Sequence, residues 1–105
     1  MRGMGNYVLD ENGNPILCES LEDWCKFYQD SDRRIVERTK VGDATVSTVF
    51  LAIDHNFGGE GPPVLWETTI FGGAHDQEEQ WRYSSLEEAK AGHAMAVELE
   101  KGRQA

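Results

Sequence analysis

The chain has 105 residues, 39% of them hydrophobic and ten aromatic, which suits one small domain with a single core. Nineteen acidic residues against ten Lys and Arg give a formal net charge of −9. This charge disfavours direct binding to nucleic acid or to an anionic membrane and suits a basic partner. No apolar run reaches the roughly 18 residues of a membrane span, and the first residues lack the apolar core of a signal peptide. We therefore expect a cytoplasmic protein in which Cys18 and Cys25 are reduced.

The N-terminal third contains signals for a hairpin and then a helix. Two short apolar runs flank an Asn-Gly turn in residues 6–17, which predicts an antiparallel hairpin. Ser20 is a good N-cap for a first helix, because apolar residues at helical spacing follow it. These residues are Leu21, Trp24, Cys25 and Tyr28.

Three strands and a short fourth are predicted in the middle of the chain. Residues 33–41 and 44–53 are rich in β-branched side chains and are separated by Gly42-Asp43. Residues 64–71 form the third strand, and residues 80–83 add a short edge strand. The order indicates an antiparallel meander.

The last predicted element is a helix that begins after Ser85, which forms a capping box with Glu88, and stops at Gly102. Its apolar face consists of Leu86, Ala89, His93, Ala96 and Val97. A histidine on such a face is expected to be a hydrogen-bonded core residue rather than a ligand or a base.

The predicted fold class is α+β, with an antiparallel sheet of three to five strands and two helices packed on one face. Residues 1–105 are expected to form one domain, with flexible ends at residues 1–5 and 102–105.

Residues 54–63, with the sequence DHNFGGEGPP, form a glycine-rich loop between two strands. The loop leads into a strand and has no nearby Lys or Arg, so it lacks the helix dipole and the charge of a phosphate-binding loop. Asp54 and His55 are adjacent in an extended segment and point apart, which disfavours an acid-base pair. We expect a structural loop in which Asp54 and Asn56 bond backbone amides and Phe57 packs inward.

A metal site that combines this loop with the His75-Asp76 pair is disfavoured. The two loops flank the strand of residues 64–71 and so lie at opposite ends of it, about 25 Å apart at roughly 3.3 Å per residue. The chain also has no Gly-x-Ser-x-Gly motif and no metal-spaced histidine pair on one helix. No catalytic residue, metal ligand or cofactor is predicted.

The outward side of the strand of residues 64–71 is the best candidate contact surface. If Val64, Trp66, Thr68 and Ile70 pack on the helices, the alternate residues face outward. These are Leu65, Glu67, Thr69 and Phe71. A face this apolar is typical of a binding surface, although a homodimer partner or the N-terminal segment would also explain it.

Acidic residues are concentrated in the middle of the chain, because no Lys or Arg occurs between Lys40 and Arg82. The carboxylates in this interval are Asp43, Asp54, Glu60, Glu67, Asp76, Glu78 and Glu79. We expect one electronegative end of the sheet, either as a solvated surface or as a face for a cationic patch. Asp54, His55 and Glu60 are therefore added to the binding candidates.

Three segments resemble a group of small proteins encoded by bacteriophages and prophages. They are VSTVFLAIDHNFGGEGPPVLWETTIFGG, YVLDENGNP and RYSSLEEAKAGH, and they cover most of the chain. The start MRGM and the segment AHDQEEQW depart from the pattern. The resemblance implies an accessory gene product that acts inside an infected or lysogenic cell, and it supplies no catalytic residues.

The resulting hypothesis is a non-enzymatic accessory protein that binds a host protein with a basic patch, for example a defence component. One alternative is a module that sequesters a nucleotide-like ligand, using Trp66, Trp81 or Phe57 for stacking and the cations of residues 33–40 for charge. Another is a metal-dependent hydrolase or nuclease that uses Asp54 and His55. A role in the virion or its assembly stays open.

Overall fold

The computed structural model describes residues 5–56 and 59–105, and its helices and antiparallel strands confirm the α+β class. The elements are β1 (Tyr7–Leu9), β2 (Pro15–Leu17), α1 (Leu21–Gln29), α2 (Ser31–Arg34), β3 (Ile35–Val41), β4 (Ala44–Phe50), β5 (Trp66–Gly72), β6 (Gln80–Tyr83) and α3 (Leu86–Gln104). Within the described segments, no helix is long and apolar enough to cross a membrane.

The predicted N-terminal hairpin is confirmed, because β1 and β2 pair antiparallel with Val8 opposite Ile16. The turn is closed by Asp10, whose Oδ1 accepts hydrogen bonds from the amides of Asn14 at 2.8 Å and Asn12 at 2.9 Å. The bond from the Asn14 amide is the main cause that lowers the pKa of Asp10. Gly13 has a φ of 82°, a conformation that glycine adopts readily.

Helix α1 begins after Ser20 as predicted, and the Ser20 hydroxyl accepts a hydrogen bond from the Asp23 amide at 3.2 Å. Its buried residue is Phe27, however, whereas Leu21 and Tyr28 of the predicted apolar face are exposed. Phe27 packs edge-on against Phe50, with ring centroids 6.0 Å apart. The predicted face was right only for Trp24, which packs against the core and donates its Nε1 to the Ala52 carbonyl at 3.0 Å.

Strands β3 to β6 form one antiparallel sheet in the order β3-β4-β5-β6, which confirms the predicted meander. The two arginines predicted to start β3 belong instead to the short helix α2. The meander places residues 42–43 and residues 73–79 at the same end of the sheet, which we call the turn end. Residues 51–65 connect β4 to β5 at the opposite end, which we call the loop end.

Helix α3 has the predicted capping box. The Ser85 hydroxyl accepts from the Glu88 amide at 3.0 Å and donates to the Glu88 carboxylate at 3.0 Å. The predicted stop at Gly102 is wrong, since the helix continues to Gln104. The Gln104 Nε2 donates to the Val41 carbonyl at 2.7 Å, and this bond joins the last turn of the helix to β3. Of the ends expected to be flexible, residues 1–4 lie outside the described part of the chain.

Helix α3 covers one face of the sheet, and the core beneath it is divided into two hydrophobic clusters. The cluster at the loop end contains Phe27, Phe50, Ala52, Leu65, Trp66 and Ala89. The cluster at the turn end contains Val41, Ala44, Val46, Ile70, Ala96 and Val97. Between them along α3 lies His93, which confirms the expectation of a buried, hydrogen-bonded histidine.

His93 is the centre of a polar layer that separates the two clusters. Its Nδ1 lies 2.7 Å from the Thr48 hydroxyl, which in turn lies 2.6 Å from the Thr68 hydroxyl. The Tyr83 hydroxyl donates to Thr68 at 3.1 Å, and the His93 Nε2 lies 2.8 Å from the Thr39 hydroxyl. These five residues form a continuous hydrogen-bonded chain across the sheet.

Gly92 makes room for this chain. A Cβ at Gly92 would lie 2.1 Å from the Tyr83 hydroxyl oxygen and 2.3 Å from the ring carbon that bears it. The hydroxyl can bond to Thr68 in this position only because residue 92 has no side chain.

We expect Gly92→Ala to destabilise the protein by about 1 to 3 kcal/mol, because the Tyr83 ring has to move and the Thr68 hydroxyl loses a buried donor. Gly102→Ala is the matched control, since a Cβ at that exposed helical position meets nothing within 4 Å. Gly102→Ala should leave the free energy of unfolding unchanged or raise it by up to about 1 kcal/mol. Urea unfolding measures both, and equal effects of the two substitutions would contradict this account.

The polar layer also predicts how stability depends on pH. Burial lowers the pKa of His93, and the carboxylate of Glu37, which lies 3.6 Å from Nε2, opposes this shift only in part. Below the unfolded pKa of about 6.5, the unfolded state therefore binds more protons than the folded state. Neutral His93 therefore contributes fully to the free energy of unfolding above pH 6.5. This contribution is lost as the pH falls through the lowered pKa of His93 in the folded state.

The expected result is a melting temperature that falls between pH 7.5 and pH 6, with a smaller fall in His93→Gln. The glutamine retains an amide that can bond to Thr48 or Thr39. His75→Gln removes an exposed histidine at the turn end and serves as the control. A wild-type pH dependence in His93→Gln would exclude His93 as its source.

Candidate functional site

Leu65, the first residue of the predicted contact surface, is part of the core. It is only 2% exposed and belongs to the loop-end cluster. Its amide donates to the Tyr83 carbonyl at 3.1 Å, and its carbonyl accepts from the Leu51 amide at 2.7 Å. The prediction was wrong because β5 begins at Trp66, so the alternation of the strand does not extend to Leu65.

Glu67, Thr69 and Phe71 lie on the sheet face opposite to α3, which we call the outer sheet face. Thr69 is nonetheless buried, and its hydroxyl donates to the Glu67 carboxylate at 3.1 Å. Glu67 also accepts from the Arg82 Nε at 2.9 Å. Phe71 is 43% exposed, so it is the large apolar side chain that this strand presents to solvent.

The middle of the outer sheet face is positively charged, which the sequence analysis missed. Arg38 is in register with Ser47 on β4, and Ser47 is in register with Thr69 on β5. Lys40 follows two residues after Arg38 and so lies on the same face. Arg82 on β6 lies on this face as well and pairs with Glu67, whereas Lys40 lies in the row of Thr45 and Phe71. The strand alternation of β3 could have revealed them.

At the loop end, Asp54 has the structural role expected of it. The side chain is buried, and its Oδ1 accepts from the amides of Asn56 at 2.8 Å and Val64 at 2.9 Å. Asn56 differs from the expectation, because its Nδ2 donates to the carbonyls of Glu60 and Pro62 instead of bonding to amides. The loop is thus tied together by its own polar groups. Phe57 lies outside the described residues.

His55 does not form an acid-base pair with Asp54. Its Nδ1 lies 2.8 Å from the Ile53 carbonyl, while the Asp54 carboxylate bonds to backbone amides. His75 and Asp76 belong to the turn end, so the two His-Asp pairs are separated as expected. Among the described residues, no group of three His, Cys, Asp or Glu side chains could hold a metal ion.

The acidic residues from the middle of the chain are divided between the two ends of the sheet, which corrects the expectation of one electronegative end. Asp54 and Glu60 lie at the loop end, and Glu67 lies on the outer sheet face. The remaining carboxylates lie at the turn end. They are Asp43, Asp76, Glu78 and Glu79.

The two connections at the turn end both lie against Gly72, the last residue of β5. The Gly72 amide donates to the Asp76 carboxylate at 2.7 Å. A Cβ at Gly72 would lie 2.6 Å from the Asp43 carbonyl oxygen, so the β3–β4 turn packs against the backbone of β5. Phe71 directly precedes this contact. An exposed aromatic residue therefore lies at the turn end, directly before the acidic β5–β6 connection.

A polar pocket of about 250 Å³ opens at the turn end, and we call it the turn-end pocket. It is lined by Asp43, Gly73, Ala74, His75, Glu100, Arg103 and Gln104. Arg103 forms an ion pair with Glu79, and the hydrogen bond that Arg103 donates to Glu79 is the main cause that raises the pKa of Arg103. Glu100 was not among the predicted site residues, although it follows His93 by seven residues on the buried face of α3.

An apolar groove of about 280 Å³ lies between β6 and α3. It is lined by Trp81, Tyr83, Gly92, Met95, Ala96 and Leu99. Trp66, by contrast, is buried in the loop-end cluster and cannot stack on a ligand. Arg33 and Arg34 lie over the rings of Phe27 and Tyr28.

This chain matches no protein-family model, no curated protein and no solved structure. The resemblance to phage and prophage proteins therefore stays an interpretation of the sequence.

Two substitutions at the loop end test which side chain holds the loop in its folded conformation. Asp54→Ala should destabilise the fold by about 2 to 4 kcal/mol, because two backbone amides lose a buried charged acceptor. His55→Ala removes the bond between the His55 Nδ1 and the Ile53 carbonyl and should cost less than Asp54→Ala, about 1 kcal/mol. Chemical denaturation measures both. A larger loss of stability in His55→Ala than in Asp54→Ala would show that the histidine holds the loop.

Proposed function

We propose that this chain is a non-enzymatic binding protein that attaches to a basic patch on a host protein. Its setting is the one implied by the sequence resemblance, an accessory gene product of a bacteriophage or prophage in the bacterial cytoplasm. The contact surface is the turn end together with Phe71. The observation that carries the proposal is the exposed Phe71 ring at the turn end, one residue before the Gly72 amide that donates to Asp76.

An exposed aromatic ring with a charged rim is a common arrangement in binding surfaces. Aromatic residues are enriched among those that dominate binding energy, while the surrounding charges steer and orient the partner. Asp43, Asp76 and Glu78 are all exposed at the turn end. Their carboxylates complement the basic patch that the net charge of −9 predicts in a partner.

The charges of the outer sheet face limit the extent of this contact. Arg38 and Arg82 would repel a basic patch that extended over the middle of the sheet, whereas Lys40 lies in the same row as Phe71. The partner is therefore expected to contact the end of the sheet and not its whole open face. The defence components of the host are one class of protein in which to look for it.

Phe71→Ala should weaken partner binding about tenfold or more, because the ring is the apolar anchor of the surface. The partner is first isolated from host lysate with the purified chain, and the Kd is then measured with both purified proteins. Met95→Ala is the matched control, since Met95 is 74% exposed but lies in the groove between β6 and α3. Loss of binding in Met95→Ala but not in Phe71→Ala would move the contact surface to that groove.

The double substitution Asp43→Asn and Glu78→Gln should also weaken binding and reduce its dependence on salt, because fewer charges attract the basic patch. Glu87→Gln removes an exposed carboxylate from the first turn of α3 at the other end of the sheet, and it should leave the Kd unchanged. Binding that does not respond to salt in the wild type would contradict an electrostatic contact.

A further inference from the structure

Glu100 has an unsatisfied carboxylate oxygen in the wall of the turn-end pocket. The residue is only 1% exposed, and its Oε1 accepts a hydrogen bond from the Gln104 Nε2 at 3.0 Å. In the described part of the chain, Glu100 Oε2 is the one buried side-chain oxygen or nitrogen that has no hydrogen-bond partner. Arg103 Nη1 lies 3.6 Å away, too far for a hydrogen bond. A buried acceptor without a hydrogen bond is costly, so a further donor at this position would stabilise it.

The surroundings of the pocket favour a cationic donor. Glu79 and Glu78 pair with the lining residues Arg103 and His75, and these two acids add to Asp43 and Glu100. Four carboxylates therefore surround one guanidinium and one imidazole. Arg103 pairs with Glu79 and also forms a longer ion pair with Glu100, which leaves Glu100 Oε2 without a hydrogen bond.

Residue 73 places no side chain beside the Glu100 carboxylate, which is buried in the pocket wall. Gly73 has a φ of 71°, and a Cβ at this position would lie 3.5 Å from the Glu100 Oε1. Because residue 73 is glycine, no side chain extends over the carboxylate from the β5–β6 loop. The neighbouring Ala74 is small and exposed, so its side chain fills little of the pocket.

We propose that the turn-end pocket binds the guanidinium group of an arginine in the basic patch of the partner. Glu100 Oε2 is the main acceptor, and the Asp43 carboxylate is the second. A guanidinium presents N–H donors in a planar fork and stays charged at all physiological pH values, which suits two carboxylates in one pocket. This inference rests on the proposed function, and it names the group that the partner presents.

The test is an NMR titration of the purified, isotope-labelled chain with N-acetylarginine amide at millimolar concentrations. We expect shifts of the backbone amide signals of Gly73 and Ala74 and of the side-chain amide signal of Gln104. N-acetylcitrulline amide, which has nearly the same shape without the charge, should produce none. N-acetyllysine amide should bind more weakly than the arginine probe, and equal binding of all three would overturn the proposal.

Two variants assign the binding to the pocket. Glu100→Gln should weaken the arginine probe tenfold or more, whereas Glu98→Gln, which removes an exposed carboxylate from the same helix, should not. If Glu100→Gln fails to fold, Ala74→Leu decides, because it fills the pocket and leaves Glu100 in place. A higher melting temperature of Glu100→Gln with unchanged probe binding would show an unsatisfied structural carboxylate only and would overturn the proposal.

Failure of this inference can be distinguished from failure of the proposed function. If Phe71→Ala weakens partner binding while the arginine probe causes no shifts, the chain binds at the turn end without an arginine in the pocket. If the probe binds at Glu100 but Phe71→Ala and the acidic substitutions leave partner binding unchanged, the pocket is a separate ligand site.

Discussion

The polar layer around His93 is the constraint on which the rest of the structure depends. It joins α3 to one residue from each strand of the sheet, namely Thr39, Thr48, Thr68 and Tyr83. A shift of one residue in any strand would turn the hydroxyl to the outer sheet face and leave a buried partner unsatisfied. Hydrophobic contacts alone tolerate such shifts more readily, so the layer specifies the register that the two apolar clusters then stabilise.

The position of α3 in turn determines the turn-end pocket. Glu100 follows His93 by seven residues, which is about 10 Å along a helix at 1.5 Å per residue and returns to nearly the same side. A helix fixed at His93 therefore has to place the Glu100 carboxylate under the turn end. The same helix ends at Gln104, which bonds to both Val41 and Glu100. The environment of the unsatisfied oxygen is thus set by a contact two turns away.

The features that could be predicted from the sequence are those specified by neighbouring residues. The Asn-Gly hairpin, the caps at Ser20 and Ser85 and the β-branched strands all depend on local preferences. Phe27 could not be identified as the buried residue of α1, because the contact of that helix with Phe50 is tertiary. Leu65 was placed on the wrong side because the start of a strand depends on its pairing partners.

The distribution of charge over the surface could not be predicted from the order of residues along the chain alone. The pairing of the strands decides which charged residues lie near each other. A meander brings the connections of alternate strand pairs together, so Asp43 and Asp76 meet although more than thirty residues separate them. In the same topology Asp54 lies at the opposite end of the sheet. Arg38 lies in the same row as Thr69, two strands away from it. The predicted order of strands was correct. The sequence therefore contained enough information to assign each acidic residue to one end of the sheet.

The turn end also restricts the shape of a partner. Phe71 lies on the outer sheet face, while Gly73 lines the pocket on the side of α3, and only two residues, or about 7 Å of chain, separate them. A flat surface could contact the ring or enter the pocket, but it could not do both, because they open on opposite sides of the sheet. A partner that uses both must hold the end of the sheet in a cleft, with an apolar wall against Phe71 and a basic wall facing Glu100.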